Sequence, residues 1–398
     1  MPLLACTPAR DAPTIDAMSD TPGTPHDFRA EFPVTEQYAF LNHAAVAPIP
    51  LATQMAIMEF ARDAAEEGPV NYSAWLHSMA LARQAAGQLL ACEPDDVCFT
   101  KSTNHGALIV ANSLDWREGD NVVGLEHEFP ANMMPWHNLR GRGVEFRVVP
   151  ERPDHTYSID DIAAAMDART RLLAVSWVEY STGVRNDITA LGALCRERGA
   201  LFFIDAIQGL GAVPMDVDAA GADFVSADGH KWMLATEGCG ILYVRRSRLA
   251  EMNLSMTGWC GLRNPQDYDD YRQDVKPTAK RFEEGSHNLM AITALGTSLR
   301  LLLSTGIPEV HRRIGALTTR LMERARSLGY HVATPADPEQ RAGIVCVNRP
   351  GLDVAGVAAE LLEKHKIVVA ARRGYLRVSP HFYNTEDEVD RFLEALPR

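Results

Sequence analysis

The chain has 398 residues, of which 46% are hydrophobic and 23% charged, and it carries a formal net charge of −13. Those totals describe a globular protein with room for a second domain beside one large core. They exclude a basic nucleic-acid surface or an attraction to anionic membranes, and no apolar run approaches the roughly 18 residues that span a bilayer.

Residues 1 to about 28 are rich in Pro, Thr, Ala and Asp and read as a flexible arm. MPLLAC lacks the basic region and the apolar length of a secretory signal, and Met18 is an alternative start. From Asp95 to Arg246 short β-rich runs alternate with helical ones, and DVCFT, NVVGLE, VEFRVVP, RLLAVSWV, ALFFID, ADFVSA and GILYVRR read as strands. Most are continuous apolar runs, the pattern of strands buried on both faces. Ser158 caps one intervening helix, and Asp187 caps another that ends at Gly199. This alternation predicts an α/β fold with a mostly parallel sheet flanked by helices. From about Ala316 the chain reads as helix, strand, helix, then two short strands around Arg372-Arg373-Gly374. A last helix opens with a Thr385–Glu388 capping box. The expected organisation is a large domain over residues 29–310 and a small C-terminal α/β domain over 311–398. Seven scattered cysteines with no Cys-x-x-Cys pair point to reduced thiols, a cytoplasmic setting and no bound metal.

Ligands of open α/β sheets bind beyond the carboxyl ends of the strands, so the residues there carry the functional expectation. ALFFID ends in Asp205. The GLG that follows hints at a dinucleotide loop, but its third glycine position is Pro214, which supplies neither an amide donor nor close helix packing. The next strand end leads to Lys231, one of only six lysines among 39 basic residues. An acid and a lysine on one rim can be a plain ion pair. They can also hold a pyridine cofactor, because pyridoxal phosphate needs a lysine for an imine, an anion at the ring nitrogen and a phosphate cradle. Lys101-Ser102-Thr103-Asn104 offers hydroxyls and free amides at a helix N-terminus, which suit an anion and equally suit an ordinary N-cap. Lys101 is a rival imine lysine whose place at the helix start suits a phosphate better.

These residues carry a family resemblance. YAFLNHAAVAPIP, FTKSTNHGA, EHEFPANMMPW, SWVEYSTGVRND, FFIDAIQGLG, SADGHKW, RFEEGSHN and GYLRVSPHFYNTEDEVDRFL are weak motifs singly, yet their order and spacing from Tyr38 to Phe392 are specific. The chain resembles the class V aminotransferase superfamily of fold-type I pyridoxal phosphate enzymes, which includes cysteine desulfurases, kynureninases and isopenicillin N epimerase. The resemblance implies an imine on Lys231, Asp205 at the pyridine nitrogen and Gln208 donating to the phenolic oxygen. It implies Thr103 at the phosphate, with Ser102 and Asn104 beside it and Asp228 or His230 joining. Phe129 would stack on the ring, with His127 as the alternative. Arg377 would take the substrate carboxylate, with Asn42 and His43 facing the same group. Ser286 would reach the partner's phosphate in a homodimer with shared sites, and Trp259 is a further candidate for the pocket wall.

The resemblance leaves several reactions open: transamination, β- or γ-elimination at a C–S bond, epimerisation, and kynureninase-like or decarboxylative C–C chemistry. Transamination and elimination lead. Desulfurases carry a persulfide-forming cysteine shortly before the carboxylate arginine. IVVAARRGYLR has none, and the nearest upstream cysteine, Cys346, falls on a different predicted strand. This disfavours a persulfide-type cysteine desulfurase. A non-catalytic binding module of the same fold predicts loss of the lysine or the acid, and both are present.

Overall fold

A computed structural model describes residues 28–269, 271–272 and 274–398. The expected arm and the alternative start at Met18 lie outside these residues. Phe28, placed in the arm, is the exception: it is buried, with its ring 5.3 Å from that of Phe382.

All seven expected strands form one sheet. They are β1 (Val97–Thr100), β2 (Asn121–Leu125), β3 (Glu145–Val149), β4 (Thr170–Ser176), β5 (Leu201–Asp205), β6 (Phe224–Asp228) and β7 (Gly240–Val244). Their order across the sheet is β1-β7-β6-β5-β4-β2-β3. The pairs β2–β3, β2–β4, β4–β5 and β5–β6 are parallel, while β7 runs antiparallel to both neighbours. Strands β1, β2, β5, β6 and β7 are buried along their whole length, as helices on both faces require.

Helices α1 (Leu51–Glu66), α2 (Tyr72–Leu90) and α3 (Thr103–Ser113) come from the first part of the chain, α4 (Ile159–Ala165) leads from edge strand β3 to β4, and α5 (Ile188–Arg198) from β4 to β5. Ser158 and Asp187 cap α4 and α5 by accepting from the N–H of Asp161 and Ala190, and α5 ends at Gly199 in the left-handed region, as expected. A second sheet, antiparallel throughout, contains β8 (His331–Val332), β9 (Val345–Asn348), β10 (Ala370–Arg372) and β11 (Tyr375–Val378) in the order β10-β11-β9-β8. The last helix, Glu386–Ala395, opens with the expected capping box.

The GLG after β5 serves packing. A Cβ on Gly209 would stand 2.4 Å from the Trp177 ring, and one on Gly211, at φ +99°, would stand 2.4 Å from Trp232 O. No single helix among the described residues is long and apolar enough to cross a membrane.

Candidate active site

Strand β3 lies outside β2, and β4 returns to the other side of β2, so the chain reverses its progress across the sheet there. A crevice opens above the carboxyl ends at such a point. The loop after β2 carries Phe129, the loop after β4 carries Tyr180, β5 ends in Asp205, and Lys231 follows β6.

Lys231 is only 8% exposed, and its Nζ lies 5.5 Å from the centroid of the Phe129 ring. Burial pushes its ammonium down to about 8, with Asp205 opposing that shift and Arg377 adding to it. Trp232, the next residue, is fully buried and donates its indole N–H to Gln208 Oε1 at 2.9 Å. The aromatic residue beside the lysine is therefore an anchor for its backbone. Asp205 accepts the Ile207 N–H at 3.0 Å, and burial raises its carboxyl to about 6 although Lys231 pulls the other way.

Arg377, on β11, is sealed at 2% exposure. Its Nη1 donates to Tyr180 O at 2.9 Å, while Nε has no partner among the described residues. Burial lowers its pKa to about 10. A buried guanidinium with one open edge is a receptor for a carboxylate.

At the start of α3, Thr103 Oγ1 accepts the Asp228 N–H at 3.0 Å. That approach depends on Gly106, where a Cβ would stand 2.2 Å from Ser226 Oγ. Ser102 Oγ caps the helix through the His105 N–H, and Asn104 Nδ2 donates to Ala131 O at 2.9 Å. Asp228 Oδ2 lies 3.1 Å from His230 Nδ1, and its Oδ1 has no partner among the described residues.

Other expected residues stand elsewhere. His43 is fully buried, with Nδ1 2.9 Å from Ser379 O and Nε2 2.7 Å from the Tyr383 hydroxyl. Burial lowers its pKa to about 4. The expectation that it faces a substrate carboxylate is corrected, because both ring nitrogens are engaged in the core. Asn42, beside it, has a buried Oδ1 with no partner among the described residues. His127 turns toward Glu126 and Glu151, each 3.9 Å from its Nε2. Gln208 Nε2 donates to Ala44 O at 3.0 Å, which leaves one N–H for a ligand. In RFEEGSHN, Glu283 forms a buried ion pair with Arg83 at 2.7 Å. Ser286 is exposed and lines a cavity of about 180 Å³ with Lys101 and His105 of its own chain. Trp259 is exposed beside Tyr268.

Sequence reasoning missed two buried acids in this region. Glu128 is tied to Ser176, and Glu179 accepts from Asn186 Nδ2 at 3.0 Å. Burial holds both carboxyls well above the usual range. An acid inside the apolar run SWVEY was the available signal.

A pyridine cofactor fits these residues. Lys231 is a partly neutral buried amine, Asp205 is a buried anion without a full counter-charge, and Arg377 and Asp228, each with an unpartnered polar atom, join Asp205 in acting on the Lys231 charge. The model of the aminotransferase class-V family matches residues 39–392. The chain belongs to that family. Its cofactor is pyridoxal 5'-phosphate, and the fold-type I architecture follows with it.

Among class-V relatives, a probable cysteine desulfurase of Methanothermobacter thermautotrophicus is 30% identical over 93% of this chain and 96% of its own length. A cysteine desulfurase of Klebsiella pneumoniae is 32% identical over 93% of this chain and 97% of its own. The solved apo cysteine desulfurase of Thermococcus onnurineus NA1 superposes with a TM-score of 0.83 at 24% identity, covering 93% of this chain and 96% of that one. These relatives overturn the expectation against a persulfide-type cysteine desulfurase. Cys346 does lie on a different strand from Arg377, but the two residues stand directly opposite each other across β9 and β11; the Cys346 thiol is fully buried, donates to Ser181 O at 3.0 Å and is pushed up to about 12 by burial.

Proposed function

We propose that the chain is a C–S bond-cleaving pyridoxal phosphate enzyme of the cysteine desulfurase kind, taking L-cysteine or a close thio amino acid. The observation that carries this reading is that buried Lys231 feels the charges of both Asp205 and Arg377, whose Nε has no partner among the described residues. The names of relatives about 30% identical support the choice of reaction. Bound pyridoxal phosphate supplies an electron sink for charge left at the substrate Cα.

The chain's own residues do the rest. Lys231 would hold the cofactor covalently and move the proton at Cα. Asp205 would keep an anion at the ring nitrogen, and Phe129 would cover one ring face. Arg377 fixes the α-carboxylate, which orients the bond to be broken. Thr103, the first turn of α3 and His230 hold the phosphate; Asp228 supports His230, since a bare carboxylate repels phosphate. Exposed Met55, Met58, Val70, Tyr72 and Leu76 on and beside α1 and α2 supply the apolar face of a homodimer. Light scattering at micromolar concentration checks this, and a monomer mass sinks the shared-site arrangement.

The reaction is tested with L-cysteine and a reducing thiol. Alanine and sulfide are expected in equal amounts, and cysteamine, which lacks the carboxylate, should be turned over poorly. Pyruvate with ammonia would replace the reading by elimination, and amino transfer to a 2-oxo acid without sulfide would replace it by transamination.

A further inference from the structure

Glu128 immediately precedes Phe129, and its side chain is almost fully sealed at 3% exposure. Its Oε1 accepts the Ser176 N–H at 2.5 Å, and its Oε2 is hydrogen-bonded to the Ser176 hydroxyl. Ser176 ends β4 in register with Asp205, and the next N–H, that of Trp177, donates to the Asp205 carbonyl at 2.8 Å. One carboxyl therefore ties the loop of Phe129 to the strand end beside the pyridine-nitrogen acid. Phe129 needs such a tie, because its ring is 44% exposed and meets Tyr180 only edge-on, at 5.3 Å. Two residues before it, His127 sits at φ +66°, a conformation unfavourable for a side chain with a Cβ.

We infer that Glu128 is a positioning residue that works as a neutral carboxylic acid, clamping Phe129 over the site through both polar groups of Ser176. The inference rests on the proposed placement of Lys231, Asp205 and Phe129. The titratable groups that face Glu128 are Asp205 on β5, Glu179 after β4 and Tyr157 before α4, all of them acids. Of the cations nearby, Arg373 is paired with Glu151 at 3.0 and 2.9 Å, Arg377 donates to Tyr180 O, and Lys231 Nζ lies 5.5 Å from the centroid of the Phe129 ring. Burial, joined by the Asp205 charge, pushes the Glu128 carboxyl up to about 8 against the opposing pull of hydrogen bonds with Ser176 and the Asn132 side chain. In its neutral form Oε1 accepts the Ser176 amide while the acid O–H donates to the Ser176 hydroxyl. Glutamine reproduces that arrangement with its carbonyl and one N–H, whereas alanine leaves the Ser176 amide and hydroxyl without that partner in a dry site.

The test compares Glu128→Gln and Glu128→Ala in the pyridoxal phosphate-loaded enzyme by visible circular dichroism, cofactor dissociation and the pH course of the bound-cofactor spectrum. Glu128→Gln should keep the wild-type dichroism and cofactor affinity, and should lose a spectral step that the wild type shows on going from neutral to alkaline pH. Glu128→Ala should change the dichroism and weaken cofactor binding about tenfold or more. Equal damage from both substitutions overturns the neutral acid. A wild-type signal in Glu128→Ala overturns the clamp while leaving the site intact, provided Lys231→Ala abolishes that same signal.

Discussion

Lys231→Ala should fold, fail to capture pyridoxal phosphate covalently, and lose at least about 10³-fold in turnover. The fold should survive because the substitution removes an amine that is 8% exposed and has no opposite charge in full contact, while Trp232 keeps the local backbone anchored. The loss of capture follows from the amine's state. A free lysine has a pKa of about 10.4, but burial brings Lys231 down to about 8. At pH 7 about a tenth of it is then neutral, several hundred times the fraction in a free lysine. Capture by the wild-type apoprotein should accordingly speed up about tenfold between pH 6 and 7 and level off above about 8. Stopped-flow absorbance measures this directly. A Lys231→Ala protein that keeps the cofactor band would move the role to another lysine, and exposed Lys101 would be next to test.

Asp205→Asn should reduce turnover by about 10²- to 10³-fold, the usual effect of removing one preorganised charge from a buried reaction centre. Asparagine retains an oxygen for the Ile207 N–H, now at 3.0 Å, so geometry changes little. The same substitution should stabilise the apoprotein, and the sign follows from linkage. Asp205 titrates at about 6 in the fold against 3.8 in the unfolded chain. Between those values the native state binds more protons than the unfolded state, so the Asp205 contribution to stability falls as pH rises from about 4 to 6. The shift corresponds to about 3 kcal/mol. Denaturant unfolding of the two apoproteins should coincide near pH 4 and separate in favour of Asp205→Asn at pH 7. An Asp205→Asn protein that is less stable than wild type at pH 7 would show that Lys231 or another cation already compensates the acid. Full turnover would remove Asp205 from the ring nitrogen.

What was legible followed from local chemistry. Most strands of the large sheet were readable because a strand buried on both faces must be apolar along its length, and the partly exposed edge strand β3 was readable from its β-rich composition. The caps at Ser158, Asp187 and Thr385 were readable because a short polar side chain next to an amphipathic run has one common use. Lys231 and Asp205 stood out because each is an ionisable residue at the end of an apolar strand, and the motifs around them carried a family resemblance that the match over residues 39–392 establishes.

His43 shows the opposite case. A histidine in a loop of small residues cannot be told from a ligand until Tyr383 and Ser379, far along the chain, are seen to occupy both of its nitrogens. Glu128 is similar, since an acid after a strand reads as exposed until Ser176 closes over it. Cys346 was set aside because it falls on a different predicted strand from Arg377, whereas antiparallel pairing sets the two residues side by side.

By itself the sequence determined the α/β class, which depends on residue type and short-range periodicity, and its ordered motifs carried the family resemblance that implied the cofactor. Strand order, the crevice between β2 and β4, the sealing of Arg377 and Glu128, and the withdrawal of His43 were decided only by the tertiary structure. These depend on which distant groups share a dry interior, where burial and pairing set charge, direction and reach.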